Sequence, residues 1–169
     1  MPLVLEAPTP RWFLKNGREN KPMKIAIASD HAGYFLKEKI KDFLAKEGHE
    51  VVDVGCYSHV AVDYPEYGVK AVEKVLQGEV ERGILICGTG IGMSIVANRF
   101  SGIRAALCHE PFSAKMARLH NDANVLVLGG RMIGDGMAVE IVKIFLETPF
   151  EGGRHERRLE LIEKLKNLR

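Results

Sequence analysis

The chain has 169 residues, enough for one domain with a proper core. At 46% hydrophobic, 27% charged and a formal net charge of +2, it reads as an ordinary globular protein, and its charge gives no case for a nucleic-acid or acidic-surface partner. It contains no apolar run of about 18 residues, so no membrane span is expected. Three cysteines, with no CxxC pair and no secretory signal, predict reduced thiols in a cytoplasmic protein.

Residues 1–22 are punctuated by Pro2, Pro8, Pro10 and Pro22 and show no clear period, while Met23-Lys24-Ile25 offers a natural start. This segment reads as an N-terminal extension, from an upstream start or added sequence, too poorly patterned for a signal peptide. Trp12, Phe13 and Leu14 are its candidates for docking on the body. From Lys24 the chain alternates. A β-run over 24–29 ends in Asp30-His31-Ala32-Gly33. A helix follows with Leu36, Ile40, Phe43 and Leu44 on one face and Gly48 as its stop. A second strand is predicted over 51–55, then a loop over 56–63 and a helix from Tyr64 to about Gln77 with Pro65 in its first turn. Strands at 83–87, 103–108 and 125–128 alternate with helices at 91–99, 111–120 and 134–147, and a charged helix follows Gly152-Gly153 over 154–168. Such alternation predicts a Rossmann-like three-layer α/β/α sandwich around a mainly parallel five-stranded sheet. Its ligands belong outside the carboxyl ends of the strands, where the strand order switches.

The most informative stretch is Ile84-Leu85-Ile86-Cys87-Gly88-Thr89-Gly90-Ile91-Gly92-Met93-Ser94. A buried strand delivers a Gly-rich turn into a helix N-terminus, where backbone N–H groups and the helix dipole favour an anion. Cys87 stands at its mouth, a setting that predicts a lowered thiol pKa. Met93 excludes two familiar motifs, because the dinucleotide fingerprint needs Gly there and a phosphatase anion loop needs Arg. Other candidates each have an ordinary structural alternative. Asp30 and His31 follow a strand end, but an N-cap beside a surface His reads the same way. His120-Asn121-Asp122 fits a helix C-cap with a dipole-favoured His. Arg131 follows Gly129-Gly130, and Arg154 and Arg158 share a helical face that suits either a phosphate or solvent. The six histidines show no HxH, HxxxH or HExxH spacing, so no metal is predicted.

Taken in order, Ser29-Asp30-His31-Ala32-Gly33, Asp63-Tyr64-Pro65, the Cys87 stretch, His120-Asn121-Asp122 and Glu151-Gly152-Gly153-Arg154-His155 resemble the type B ribose-5-phosphate isomerases. These sit within a larger group that includes galactose-6-phosphate isomerase subunits. The resemblance covers about residues 23–168. It implies a homodimer, in some members a tetramer, with active sites shared between subunits. The implied reaction is interconversion of ribose 5-phosphate and ribulose 5-phosphate without metal or organic cofactor. Carried over, Cys87 is the base that moves a proton between C2 and C1. Thr89 assists at the sugar oxygens, and the turn containing Gly88, Gly90, Gly92 and Ser94 holds the enediolate. His120 opens the furanose ring. Asp30, His31, Tyr64 and Asn121 contact the sugar, and Arg131, Arg154 and Arg158 surround the phosphate.

Three other readings compete. An isomerase of a six-carbon phosphosugar, allose 6-phosphate or galactose 6-phosphate, shares every motif. A non-catalytic phosphosugar sensor explains the glycines and arginines but gives Cys87, Thr89 and His120 no task. A cysteine hydrolase pairing Cys87 with His120 or His31 has no acyl or phosphoryl substrate logic behind it.

Overall fold

The computed structural model describes residues 21–165, so Trp12, Phe13, Leu14 and nearly all of the expected N-terminal extension lie outside the described residues. Five parallel strands form one sheet: β1 (Lys24–Ser29), β2 (Glu50–Asp53), β3 (Arg82–Cys87), β4 (Ala105–Leu107) and β5 (Val125–Gly129). Their order is β2-β1-β3-β5-β4. Six helices alternate with and follow them: α1 (Tyr34–Lys46), α2 (Tyr64–Leu76), α3 (Ile91–Ala97), α4 (Pro111–Asn121), α5 (Asp135–Glu147) and α6 (Arg154–Lys164). This is the three-layer α/β arrangement the alternation predicts. Among the described residues no helix is long and apolar enough to cross a membrane.

Strand side chains alternate between the two faces, and the core divides accordingly. Ile25, Ile27, Ile84, Ile86, Leu126 and Leu128 meet α1, α4 and α5 through Leu36, Ile40, Ala117, Ile141 and Phe145. On the other face Ala26, Ala28, Leu85, Cys87 and Val127 meet α2 and α3 through Ala71, Val72, Met93 and Ala97. Both faces are buried, which is why the strands read as continuous apolar runs.

Three elements are shorter than their patterns predict. The strand expected over 51–55 ends at Asp53, where the Gly55 N–H turns back to the Asp53 carboxylate. The apolar run at 103–108 gives only the three-residue β4. Ile103 N–H turns back to the Phe100 carbonyl, and Arg104 N–H goes to the Asn124 side chain. Helix α3 stops at Ala97 because the next residue, Asn98, is recruited by that same edge. Its amide nitrogen donates to the Ala105 carbonyl and its oxygen accepts from the Ala105 N–H, at 3.0 and 2.9 Å.

Candidate active site

The strand order switches between β1, whose next strand lies on one side, and β3, which lies on the other. The carboxyl ends of β1, β3 and β5 are stitched together there. Asp30 N–H donates to the Ile86 carbonyl, Gly130 N–H to Cys87 and Arg131 N–H to Gly88, at 3.1, 2.8 and 2.9 Å. Asp30, mostly buried, accepts from the amides of Ala32 and Gly33 and so shapes the turn into α1. His31 accepts from Val62 N–H through Nδ1, which in the neutral ring leaves the proton on Nε2. That bond also ties down the 56–63 loop leading to Tyr64. Cys87 ends β3 with 4% exposure.

The turn after Cys87 is tightly packed from within. Thr89 accepts from Ile91 N–H through its hydroxyl, and the Thr89 carbonyl lies 3.3 Å from His109 Nε2. At Gly90, φ is +80° and a Cβ would collide with Leu107. At Gly92 a Cβ would stand 2.6 Å from the Tyr64 ring. Gly90 is therefore required by its own backbone conformation and by neighbouring protein atoms, whereas the space at Gly92 is taken by the movable ring of Tyr64. Gly88 is different. A Cβ there would be 3.5 Å from Arg131 Nη1, so the guanidinium lies over the backbone beside Cys87. Ser94 sits in the first turn of α3, its N–H bonded to Gly90.

The remaining predicted residues lie at the other end of the sheet. Helix α4 starts near the carboxyl edge, capped by the Glu110 carboxylate on the amides of Phe112 and Ser113. It then runs back for about 16 Å. Its last residue meets the amino end of β4, where Arg104 donates to the carbonyls of Asn121 and Asp122. Asp122, at φ +42°, is the residue that caps the helix, so the predicted C-cap shifts one residue past Asn121. The buried Arg118 secures this corner: it pairs with Asp122 at 2.8 Å and donates to the carbonyls of Ala123 and Thr148. Burial draws its guanidinium down to about 10, still a cation at neutral pH. One chain thus holds Asp30, His31, Tyr64, Cys87, Thr89 and Arg131 at one edge, and His120 and Asn121 at the other.

Helix α6 packs against α4 and brings Arg154 and Arg158 to the His120 edge. The same region supplies two residues that sequence reasoning did not single out for the site, His155 in the first turn of α6 and Glu151 in the segment just before it. His155, 3% exposed, stacks on His120 with ring centroids 4.2 Å apart and planes 14° apart. Glu151 Oε2 faces both rings, 3.6 Å from His155 Nε2 and 4.0 Å from His120 Nε2. Their ligand atoms lie within 4.8 Å of one another, a donor set a metal could use. The stacking argues against that use, because lone pairs in parallel planes do not converge on an ion about 2.1 Å from each nitrogen. Arg154 Nε also donates to His155 Nε2. Burial, reinforced by the neighbouring charges of His120, Arg154 and Arg158, holds His155 below the usual histidine range. Nothing in the sequence signalled this cluster, because Glu151 and His155 meet His120 only through the docking of α6 on α4.

Comparison with known proteins places the geometry. The family described as Ribose/Galactose Isomerase matches residues 25–162. Ribose-5-phosphate isomerase B of Escherichia coli is 48% identical over 146 residues, 86% of this chain and 98% of that protein. The structure of a ribose 5-phosphate isomerase from Thermotoga maritima is similar at TM-score 0.83 and 58% identity, covering 84% of this chain and 98% of that one. Ribose-5-phosphate isomerase B from Mycoplasma genitalium, solved with bound ribulose-5-phosphate, is similar at TM-score 0.81 and 41% identity, covering 85% and 95%. The chain belongs to the ribose/galactose isomerase family.

Proposed function

We propose that the protein interconverts ribose 5-phosphate and ribulose 5-phosphate through an enediolate. The observation that carries this reading is the pairing, at one strand-end crevice, of a cysteine with a guanidinium lying over the adjacent glycine. His120 transfers a proton from the C1 hydroxyl to the ring oxygen, the C1–ring-oxygen bond breaks, and the open aldehyde forms. The Cys87 thiolate takes the proton from C2; the electron pair forms the C1–C2 double bond and the carbonyl oxygen becomes an oxyanion. Amides of the 88–92 turn and the Thr89 hydroxyl stabilise that charge, each such donor being worth about 3–4 kcal/mol in measured cases. Cys87 returns the proton to C1, the C2 hydroxyl gives up its proton, and O1 accepts one. No group outside the protein is required for these steps. Asp30, His31, Tyr64 and Asn121 orient the sugar, and Arg131, Arg154 and Arg158 hold the phosphate.

The working unit in this reading is a homodimer. His120, Arg154 and Arg158 stand at the opposite edge of the sheet from the Cys87 of their own chain, and the Cys87 end carries exposed Ile91, Ile95, Phe112 and Met132. A second copy seated there covers this apolar rim and supplies the missing half of each site. With three buried free thiols, the enzyme suits the reducing cytoplasm. The test is ribulose 5-phosphate formation from ribose 5-phosphate in chelator, beside Cys87→Ala. Turnover lost only in the variant supports the reading. Turnover only on six-carbon phosphosugars moves the substrate, and binding without turnover returns the sensor.

A further inference from the structure

We propose that Glu151 and His155 are positioning residues that act through His120, the one facing its Nε2 with a carboxylate and the other fixing its ring plane. The inference rests on the isomerase reading above. Glu151 N–H donates to the Leu119 carbonyl at 3.0 Å, which pins the residue to the last turn of α4 beside His120. Its carboxylate faces two imidazoles, and the structure distinguishes them. His155 is buried and accepts from Arg154 at Nε2, so its neutral ring carries the proton on Nδ1, away from Glu151. It offers the carboxylate no N–H. The carboxylate is therefore left to His120, which is over a third exposed and turned toward solvent.

Ring opening makes this division useful. An imidazole that takes the C1 hydroxyl proton before delivering one to the ring oxygen passes through a cationic state. Glu151, 4.0 Å away, stabilises that state, and a gap of this size closes readily when a ligand is bound. His155, stacked 4.2 Å beneath, keeps the ring from rotating off the sugar.

The test separates ring opening from proton transfer at carbon. Ribulose 5-phosphate is acyclic, because its 5-hydroxyl is esterified. Exchange of its C1 proton with D2O therefore reports enediolate formation without any ring step. Conversion of ribose 5-phosphate requires both. Glu151→Gln is expected to lower conversion of ribose 5-phosphate about tenfold or more while changing C1 exchange less than about twofold, with Glu151→Asp recovering part of the loss. His155→Phe, which keeps a stacking ring, is expected to hold conversion within about threefold of the unaltered protein, and His155→Ala to fall with Glu151→Gln. Equal loss of exchange and conversion in Glu151→Gln, or loss of neither, overturns the inference. Absence of both reactions in the unaltered protein instead overturns the isomerase reading on which it rests.

Discussion

Lys37 Nζ, fully enclosed, lies 2.7 and 2.8 Å from the two carboxylate oxygens of Asp53. The pair joins the first turns of α1 to the end of β2, and Lys41 adds a second cation at 2.7 Å. Asp53 also accepts from Gly55 N–H, so the loop entering the 56–63 segment hangs from this carboxylate. Its ionisation reflects a contest. Burial pushes the carboxyl up, but the hydrogen bonds from Lys37, Lys41 and the Gly55 amide outweigh it and leave the group below its ordinary value of 3.8.

A folded pKa below the unfolded one means that the unfolded chain takes up the proton first as pH falls. This contribution is therefore fully present above about pH 5 and is lost progressively below about pH 4. Urea midpoints measured from pH 6 to pH 3 should fall less steeply for Asp53→Asn than for the unaltered protein. Lys37→Met is expected to cost about 2–3 kcal/mol at pH 7, below the usual range for breaking a buried pair because Lys41 remains.

Gly92 and Gly90 should separate function from folding. A methyl at Gly92 meets the edge of Tyr64, a partly exposed ring that can swing away. Gly92→Ala should leave the thermal midpoint within a few degrees while raising KM for the phosphosugar about tenfold, since Tyr64 is displaced from the crevice. Gly90→Ala places a side chain at φ +80° against Leu107 and the Leu128 backbone, and should lower stability by about 2–4 kcal/mol. A shift of the thermal midpoint for Gly92→Ala as large as that for Gly90→Ala would contradict this division.

Shared sites give an arithmetic prediction. Cys87→Ala and an Arg154→Ala/Arg158→Ala variant each lose both sites of a dimer. Unfolded together and refolded at equal concentration, half of the dimers should be mixed, and each mixed dimer rebuilds one intact site. The mixture should recover about a quarter of the unaltered activity. Sites contained within one chain would recover none.

His155 offers a spectroscopic check on the buried cluster. Burial holds its pKa in the folded protein below the ordinary histidine value of 6.5. Its ring resonances should therefore titrate at lower pH than those of an exposed histidine. The sign for stability follows: the contribution is present above about pH 6.5 and declines as pH falls toward the folded value, because the unfolded chain protonates first. Protection of α6 amides from exchange, corrected for the intrinsic pH dependence, should fall over that range more in the unaltered protein than in His155→Phe.

The sequence was most legible where local chemistry decides structure. The apolar run 84–86 followed by three spaced glycines yields β3, its turn and α3 with little competition. Pro65 and Pro111 marked helix starts that the structure places at Tyr64 and Pro111. Strand order was not legible beyond the α/β pattern, because β5 inserts between β3 and β4 through packing that no local signal encodes. The candidate residues could be named from motifs, but their division between two edges depends on the direction in which α4 runs. The stack of His155 on His120 joins residues 35 apart in sequence and exists only once α6 has docked on α4.

Asn98 has a significance for how the protein behaves in a crowded cell. A parallel sheet that ends in a short strand leaves donors and acceptors pointing outward, an invitation to any passing extended chain. By presenting its amide to both the N–H and the carbonyl of Ala105, Asn98 counterfeits the peptide unit that a sixth strand would bring. The β4 edge is thereby blunted at Ala105, which favours association through side-chain surfaces, where a specific partner can be told from an accidental one.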